Sequence, residues 1–389
     1  MGEDLEKISA KRNNFIIFAS VVFWFIALLY GTGFGAMLGL YEKTIIVLCL
    51  CMAYQMIVKK QFKGVKKATV LFAFVILVQN LYTNIVYGEN FLYYAAMYII
   101  PILYSLYTVD EKQMRTIGMI YGCGGGAVLV VANFTNYFSG WDGNSVSLIC
   151  FFSYAAFIAS LFDVKKKEHQ HRIIAYSCIY FMLLLTLNSR SCILFSMFLL
   201  LCELGVLNVK NVVNRNRIMF FLVLPLIIAI LIVAIKDMPF ISIVNEWSKE
   251  HFNGKSIFSG RDELWSRGVE IWKKHPIFGT GTFSSNWHNS AVAAITGAGT
   301  VGYFIWVYMI NSVLQNACNH IDDDIIVGTV VAFLVVWLQQ AVEQGLIGTR
   351  GNPLIFVLLG LILARTNTLE KEDNLKIADG EADGEQVDV

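Results

Sequence analysis

Two arginines and a histidine stand out as side chains with chemistry to perform. Arg190 is the sole basic residue in a very short turn between two apolar segments. A guanidinium stays charged, and its planar fork donates two hydrogen bonds to an oxyanion, so Arg190 and Arg261 suit an anionic ligand. On position alone, topology or snorkelling accounts for Arg190 as well. Arg261 falls in the first turn of a helical segment, an unfavourable place for a cation beside the helix dipole, which favours a ligand there. His288 stands at the mouth of a later apolar segment. Imidazole suits the acceptance of a proton from an attacking hydroxyl. Near the end of the following apolar segment is Gln339-Gln340-x-x-Glu343-Gln344. An ionisable group at such a depth is a functional candidate, and Glu343 would position an acceptor or pair with Arg350. Lys274 offers a further anion contact, on a helix face that solvation also explains.

The elements that must position these groups are apolar. Of 389 residues, 56% are hydrophobic and 15% charged, against about 25% charged in an ordinary soluble domain. Mean hydropathy is +0.59. A disordered chain and a large soluble enzyme are both excluded. Thirty basic and 29 acidic residues give a net charge of +1, without the basic excess of a nucleic-acid binder. Runs near 20 apolar residues can cross a bilayer as helices. Candidates lie near 14–31, 42–58, 68–87, 91–107, 115–135, 145–162, 172–188, 191–207, 217–236, 290–314, 325–345 and 352–365. The fold class expected is an all-α polytopic membrane protein with about 12 transmembrane helices.

Sidedness follows from the basic residues. With the N-terminus inside, 20 of the 30 fall in inside segments, seven lie in one long outside segment and three elsewhere outside. Long loops obey the positive-inside rule poorly, so the balance is 20 to three. The chain then divides into a cytoplasmic N-terminus (1–13), nine helices (14–236), an extracytoplasmic loop (237–289), three further helices (290–366) and an acidic tail (367–389) expected to be disordered. No small-residue cleavage site follows the first apolar run.

Within the long loop, 259–275 reads as an amphipathic surface helix. Ser259 caps it, Asp262 and Glu263 fall in the first turn, Lys273, Lys274 and His275 in the last, and Pro276 stops it. Trp265, Val269 and Trp272 share one face. Such a helix would lie on the membrane or cover a cavity at the mouth of the spans. Other groups read as structural. Seven of eight cysteines lie in spans and Cys318 at a cytoplasmic end, against a disulfide framework. Asp322-Asp323-Asp324 reads as a solvated charge run. Gly122 to Gly126 lies within a span and allows close helix packing.

The ordered string Ser259-Gly260-Arg261-x-x-x-Trp265, Pro276-x-x-Gly279-x-Gly281, His288-Asn289, then Gly299 and Gly302 resembles the C-terminal signature of the O-antigen ligase and O-antigen polymerase superfamily. Asn188-Ser189-Arg190-Ser191 resembles its Ser-Arg element, and Asp142-Gly143-Asn144 its Asn-containing element. Gly297 departs from the pattern, where many members carry an acidic or larger residue. The resemblance implies a GT-C-like membrane glycosyltransferase on the outer face of the bacterial cytoplasmic membrane. It would move a glycan from an undecaprenyl diphosphate carrier to an acceptor hydroxyl without a metal or other cofactor. Arg190 and Arg261 would bind the diphosphate and His288 would be the base. Glu343, Asn289, Asn144, Arg350 and Lys274 are the supporting candidates.

A polymerase of lipid-linked repeat units is the leading expectation, with a flippase and a chain-length regulator as partners. The Lys-, Asn-, Ile- and Phe-rich composition resembles that of a low-GC, Gram-positive organism, a class in which lipid A is absent. The alternatives are a ligase to lipid A core or another acceptor, and a lipid-linked oligosaccharide transporter. The two halves show no convincing internal match of the kind transporters carry.

Overall fold

The computed structural model describes residues 14–31, 99–135, 143–162, 170–187, 189–207, 209–251, 256–283, 285–346 and 352–384, with Gly254 and single positions between 46 and 85. Among them, the side chains of Tyr30, Asn144, Lys210, Asn211 and those beyond Asn374 are outside the description. Every described element is helical. In chain order they are α1 (Phe15–Gly31), α2 (Glu111–Phe134), α3 (Gly143–Leu161), α4 (Gln170–Leu185), α5 (Arg190–Glu203), α6 (Val209–Val212), α7 (Arg215–Ile235), α8 (Pro239–His251), α9 (Arg261–Lys274), α10 (Ser290–Ala317), α11 (Asp324–Gln339) and α12 (Pro353–Gly384).

The protein is an all-α polytopic membrane protein. Glu111–Phe134, Arg215–Ile235, Ser290–His320 and Pro353–Asn374 are long and apolar enough to cross a bilayer, and α1, α3, α4 and α11 supply shorter apolar helices. Apolar side chains are exposed along several of these helices, among them Ile179 and Met182 on α4, Leu194 and Met197 on α5, and Phe220, Ile230 and Leu231 on α7. A monomeric soluble protein rarely shows so much contiguous apolar surface. The expected spans at 42–58 and 68–87 lie outside the described residues apart from single positions, and that at 91–107 is described from residue 99.

Packing is set by small residues and by four interior helices. Without a hydrophobic drive between helices in lipid, close backbone approach favours glycine. On α2, a Cβ at Gly118 would fall 2.2 Å from the Ser160 side chain, one at Gly122 would fall 2.5 Å from Phe157, and one at Gly125 would fall 2.6 Å from Ser153. This glycine seam lets α2 lie against α3, as the sequence suggested. α3, α10, α11 and α12 form the interior, and every residue of α3 from Ile149 to Leu161 is buried. On α11 every residue from Ile325 to Trp337 is buried, as expected of a helix that is apolar all round.

α10 is broken once, at Gly299, whose φ of 67° and ψ of −173° are non-helical. The break frees backbone groups on either side. The segment after α9 takes them up: Thr300 N donates to Pro276 O at 2.9 Å and Val301 N to Ile277 O at 3.2 Å. In return Thr280 N donates to Thr296 O and Gly281 N to Gly297 O, both at 2.9 Å. A Cβ on Gly279 would fall 2.5 Å from the Gly297 backbone, so the contact needs glycine there.

Three expectations change here. Ser259 does not cap α9; Gly260, with φ of 79°, holds the N-cap position and gives no side-chain bond. α9 keeps Glu263, Arg267, Glu270, Lys273 and Lys274 exposed and is anchored through its opposite face. Trp265 is wholly buried, its indole N–H donates to Trp287 O at 2.7 Å, and that of Trp272 donates to Thr300 Oγ1 at 3.0 Å. An indole buried with its N–H satisfied is a strong anchor. The acidic tail, expected to be disordered from 367, begins as helix, because α12 runs on through Gly384. Thr368 Oγ1 accepts from Val109 N and Asn367 Nδ2 donates to Ser105 O, so the first tail residues dock on the chain before α2. Asp323 is likewise more than a solvated charge: it caps α11 through Ile326 N and pairs with Arg365.

Candidate functional site

Four helix ends converge on one polar cluster: the starts of α5, α9 and α10 and the end of α11. Arg190 is the first residue of α5. Arg261 is the first of α9. His288 precedes the N-cap of α10. Glu343 follows α11 by four residues. Helix ends leave backbone groups unsatisfied, which is why polar side chains gather where several meet.

Glu343 ties the cluster together. Its side chain is only 8% exposed, and it faces two cationic or potentially cationic partners. Oε1 accepts from the Arg261 guanidinium at 3.2 Å, and Oε2 lies 3.4 Å from His288 Nδ1. A buried carboxylate needs such partners. Glu343 was expected to position an acceptor or to pair with Arg350; it pairs with Arg261, and Arg350 lies outside the described residues.

The histidine ring is held from both sides. Asn286 Nδ2 lies 3.2 Å from His288 Nε2, and Asn286 Oδ1 accepts from the His288 backbone N–H at 3.2 Å. An amide N–H can only donate, so Nε2 is the accepting nitrogen, and in the neutral ring Nδ1 carries the proton towards Glu343. In this tautomer the basic lone pair is on Nε2, where Asn286 Nδ2 occupies it, so an acceptor hydroxyl must displace that amide to deliver its proton. His288 is 36% exposed, so the ring is reachable.

Arg190 donates from its guanidinium to Ser259 Oγ at 2.9 Å, which brings it to the loop that carries Arg261. Arg261 is 24% exposed, and its Nε is buried without a hydrogen-bond partner among the described residues. Ser259 and His288, with φ of 53° and 47°, are the non-glycine residues in the left-handed region among those described. Each such conformation costs on the order of 1–2 kcal/mol. Both occur within this cluster, and strain of that kind gathers at functional sites.

The remaining candidates separate. Asn289 is fully buried and committed to structure. Its Oδ1 caps α10 through Ala291 N and Val292 N, while its Nδ2 donates to Pro225 O and Ala341 O. It therefore orients the histidine beside it and has no capacity left for an acceptor. Lys274 is exposed at the far end of α9, about 20 Å along the helix from Arg261. The structure does not bring it to the cluster. Asn144 lies in the first turn of α3, beside the turn before Arg190, since a Cβ at neighbouring Gly143 would fall 3.1 Å from Leu187 O.

Several participants were not anticipated as such. Asn286 was absent from the candidates, although an Asn two residues before a polar helix start is an Asx-turn signal. Ser259 was read as a cap and is instead the acceptor for Arg190. Gln344 accepts from Trp287 N at 2.6 Å and donates to Ser285 O at 3.2 Å, so it fixes the loop that carries His288. Among the described residues, no group of three or more His, Cys, Asp or Glu side chains is placed to hold a metal ion.

A search of curated proteins finds no match. Residues 174–307, about a third of the chain and including Arg190, Arg261 and His288, match the family model described as O-antigen ligase, which supports the O-antigen ligase and polymerase superfamily for this protein.

Proposed function

We propose that this protein is a polymerase of undecaprenyl-diphosphate-linked oligosaccharide repeat units, acting at the outer face of a bacterial cytoplasmic membrane. The observation that carries the reading is the chain Arg261–Glu343–His288, with Arg190 bonded to the same loop. An acceptor hydroxyl attacks the anomeric carbon of the donor glycan from the face opposite the diphosphate. The new C–O bond forms as the bond from carbon to the diphosphate oxygen breaks, with inversion. The hydroxyl proton passes to His288 Nε2. The lipid diphosphate leaves with the bonding electrons, and Arg190 and Arg261 neutralise its charge.

Glu343 positions both partners. It fixes the tautomer and direction of the imidazole, as a carboxylate does in other acid–base sites, and it holds Arg261 at the same place. The scheme uses guanidinium groups where other transferases use a cation, so chelation with EDTA is expected to leave the rate unchanged.

The test is a reaction with a purified lipid-diphosphate-linked repeat unit in detergent or nanodiscs. A ladder of longer lipid-linked glycans is expected. Arg261→Ala should lower its rate by about 10²–10³-fold and His288→Ala by about 10²–10⁴-fold, at unchanged protein level. Wild-type rates in both variants would refute the mechanism. A single glycan added to lipid A core or another acceptor, with no ladder, would make the protein a ligase.

A further inference from the structure

The helix between α7 and α9 was not anticipated from the sequence. Three residues separate the end of α7 from the start of α8. The first residue of α7, Arg215, bonds Asn319 beyond the C-terminus of α10, so α7 runs from that end past Asn289 towards the site end. At about 100° per residue, its side chains fall into three sectors. Ile241 and Ser248 share a direction and are both buried against the protein. Ser242, Glu246, Lys249 and Glu250 occupy one flank, and all are exposed. Phe240, Ile243 and Trp247 occupy the other flank in a sector about 60° wide, and they are 68%, 66% and 53% exposed. His251 borders this sector at the end of the helix, its ring stacked on that of Trp247 at 4.8 Å.

Water would make that apolar flank costly, at roughly 25 cal/mol per Å² of exposed apolar surface. A helix with one protein-facing, one charged and one apolar sector fits a position in the plane of a membrane interface. The tryptophan and lysine near its end are residue types suited to the headgroup boundary. We infer that α8 is an interfacial anchor: Phe240, Ile243 and Trp247 insert into the lipid leaflet at the site end of the bundle, while Glu246, Lys249 and Glu250 face water. The anchor holds the loop carrying Ser259 and Arg261 at headgroup depth. The inference needs only the membrane-embedded frame, and it stands or falls apart from the glycosyl-transfer reading.

The experiment uses the full chain in phosphatidylethanolamine and phosphatidylglycerol nanodiscs, with and without brominated acyl chains. Tryptophan emission of wild type and Trp247→Phe is compared, with thermal stability as the check on folding. The component lost in Trp247→Phe is expected to be quenched by brominated lipid and shielded from aqueous iodide. A second probe, an environment-sensitive dye at Ile243→Cys against one at Glu246→Cys, should report an apolar setting at 243 and water at 246. Quenching of the Trp247 component by iodide alone would overturn the inference. So would shielding from both quenchers, which would mean that protein covers the flank.

Discussion

At the residue scale, the site is one carboxylate serving two partners. Removing the charge of Glu343 while keeping its shape separates its two duties. Glu343→Gln should retain one hydrogen bond to Arg261 but lose the ionic partner of both groups. Turnover is expected to fall about 10–100-fold, less than for His288→Ala, because the base itself survives. The loss should appear in kcat with KM nearly unchanged, read from ladder formation against substrate concentration; a change in KM alone would assign Glu343 to substrate binding. Asn289 acts differently. Its side chain caps α10 and satisfies two buried carbonyls. Asn289→Ala removes a cap and leaves those carbonyls unpaired, at about 2–4 kcal/mol. A lower thermal midpoint in detergent should accompany any loss of activity.

At the element scale, α9 is a fixed wall of the site. Its start is held through Arg261 and Glu343, its middle by the buried Trp265, and the segment after it by four backbone bonds to broken α10. Trp265→Ala is expected to destabilise by about 3–5 kcal/mol through the cavity and the orphaned Trp287 carbonyl. Gly299→Ala tests the break. Alanine would have to adopt φ near 67° with its Cβ 2.3 Å from Ile277 O. Backbone strain and overpacking together make about 2–5 kcal/mol. Monodisperse yield on size exclusion and thermal unfolding would show both losses. A Gly299→Ala protein as stable as wild type would mean that the crossing of α10 and the return segment can relax.

At the scale of the whole molecule, the question is which end of the bundle faces out. The site lies at one end, and the Asp323–Arg365 pair with the docked start of the tail lies at the other. The distribution of lysine and arginine predicts that the site end is outside. In intact cells, a membrane-impermeant maleimide is expected to label Glu263→Cys but not Lys371→Cys in a background free of other reactive thiols; both positions are exposed. The reverse pattern would put the cluster on the cytoplasmic side and remove the lipid-linked donor from its reach. Reconstituted activity should weaken with rising salt only modestly, since Glu343 and Arg261 are mostly shielded.

The sequence by itself determined the class of the molecule. Apolar runs of helical length leave few other folds open in lipid, where every backbone group must be satisfied internally. It also singled out Arg190, Arg261 and His288 as candidates, through an ordered set of residues that resembles a family signature rather than through position alone. Which groups touch was decided only by the tertiary structure. Glu343 reaches Arg261 and His288 across 82 and 55 residues of chain, and local periodicity carries no information at that separation. The roles of two amphipathic segments also depended on the fold. Both 239–251 and 261–274 have an apolar face, but whether such a face meets protein or lipid depends on what packs there. α9 found the glycine-broken wall of α10, and α8 kept its phenylalanine, isoleucine and tryptophan exposed.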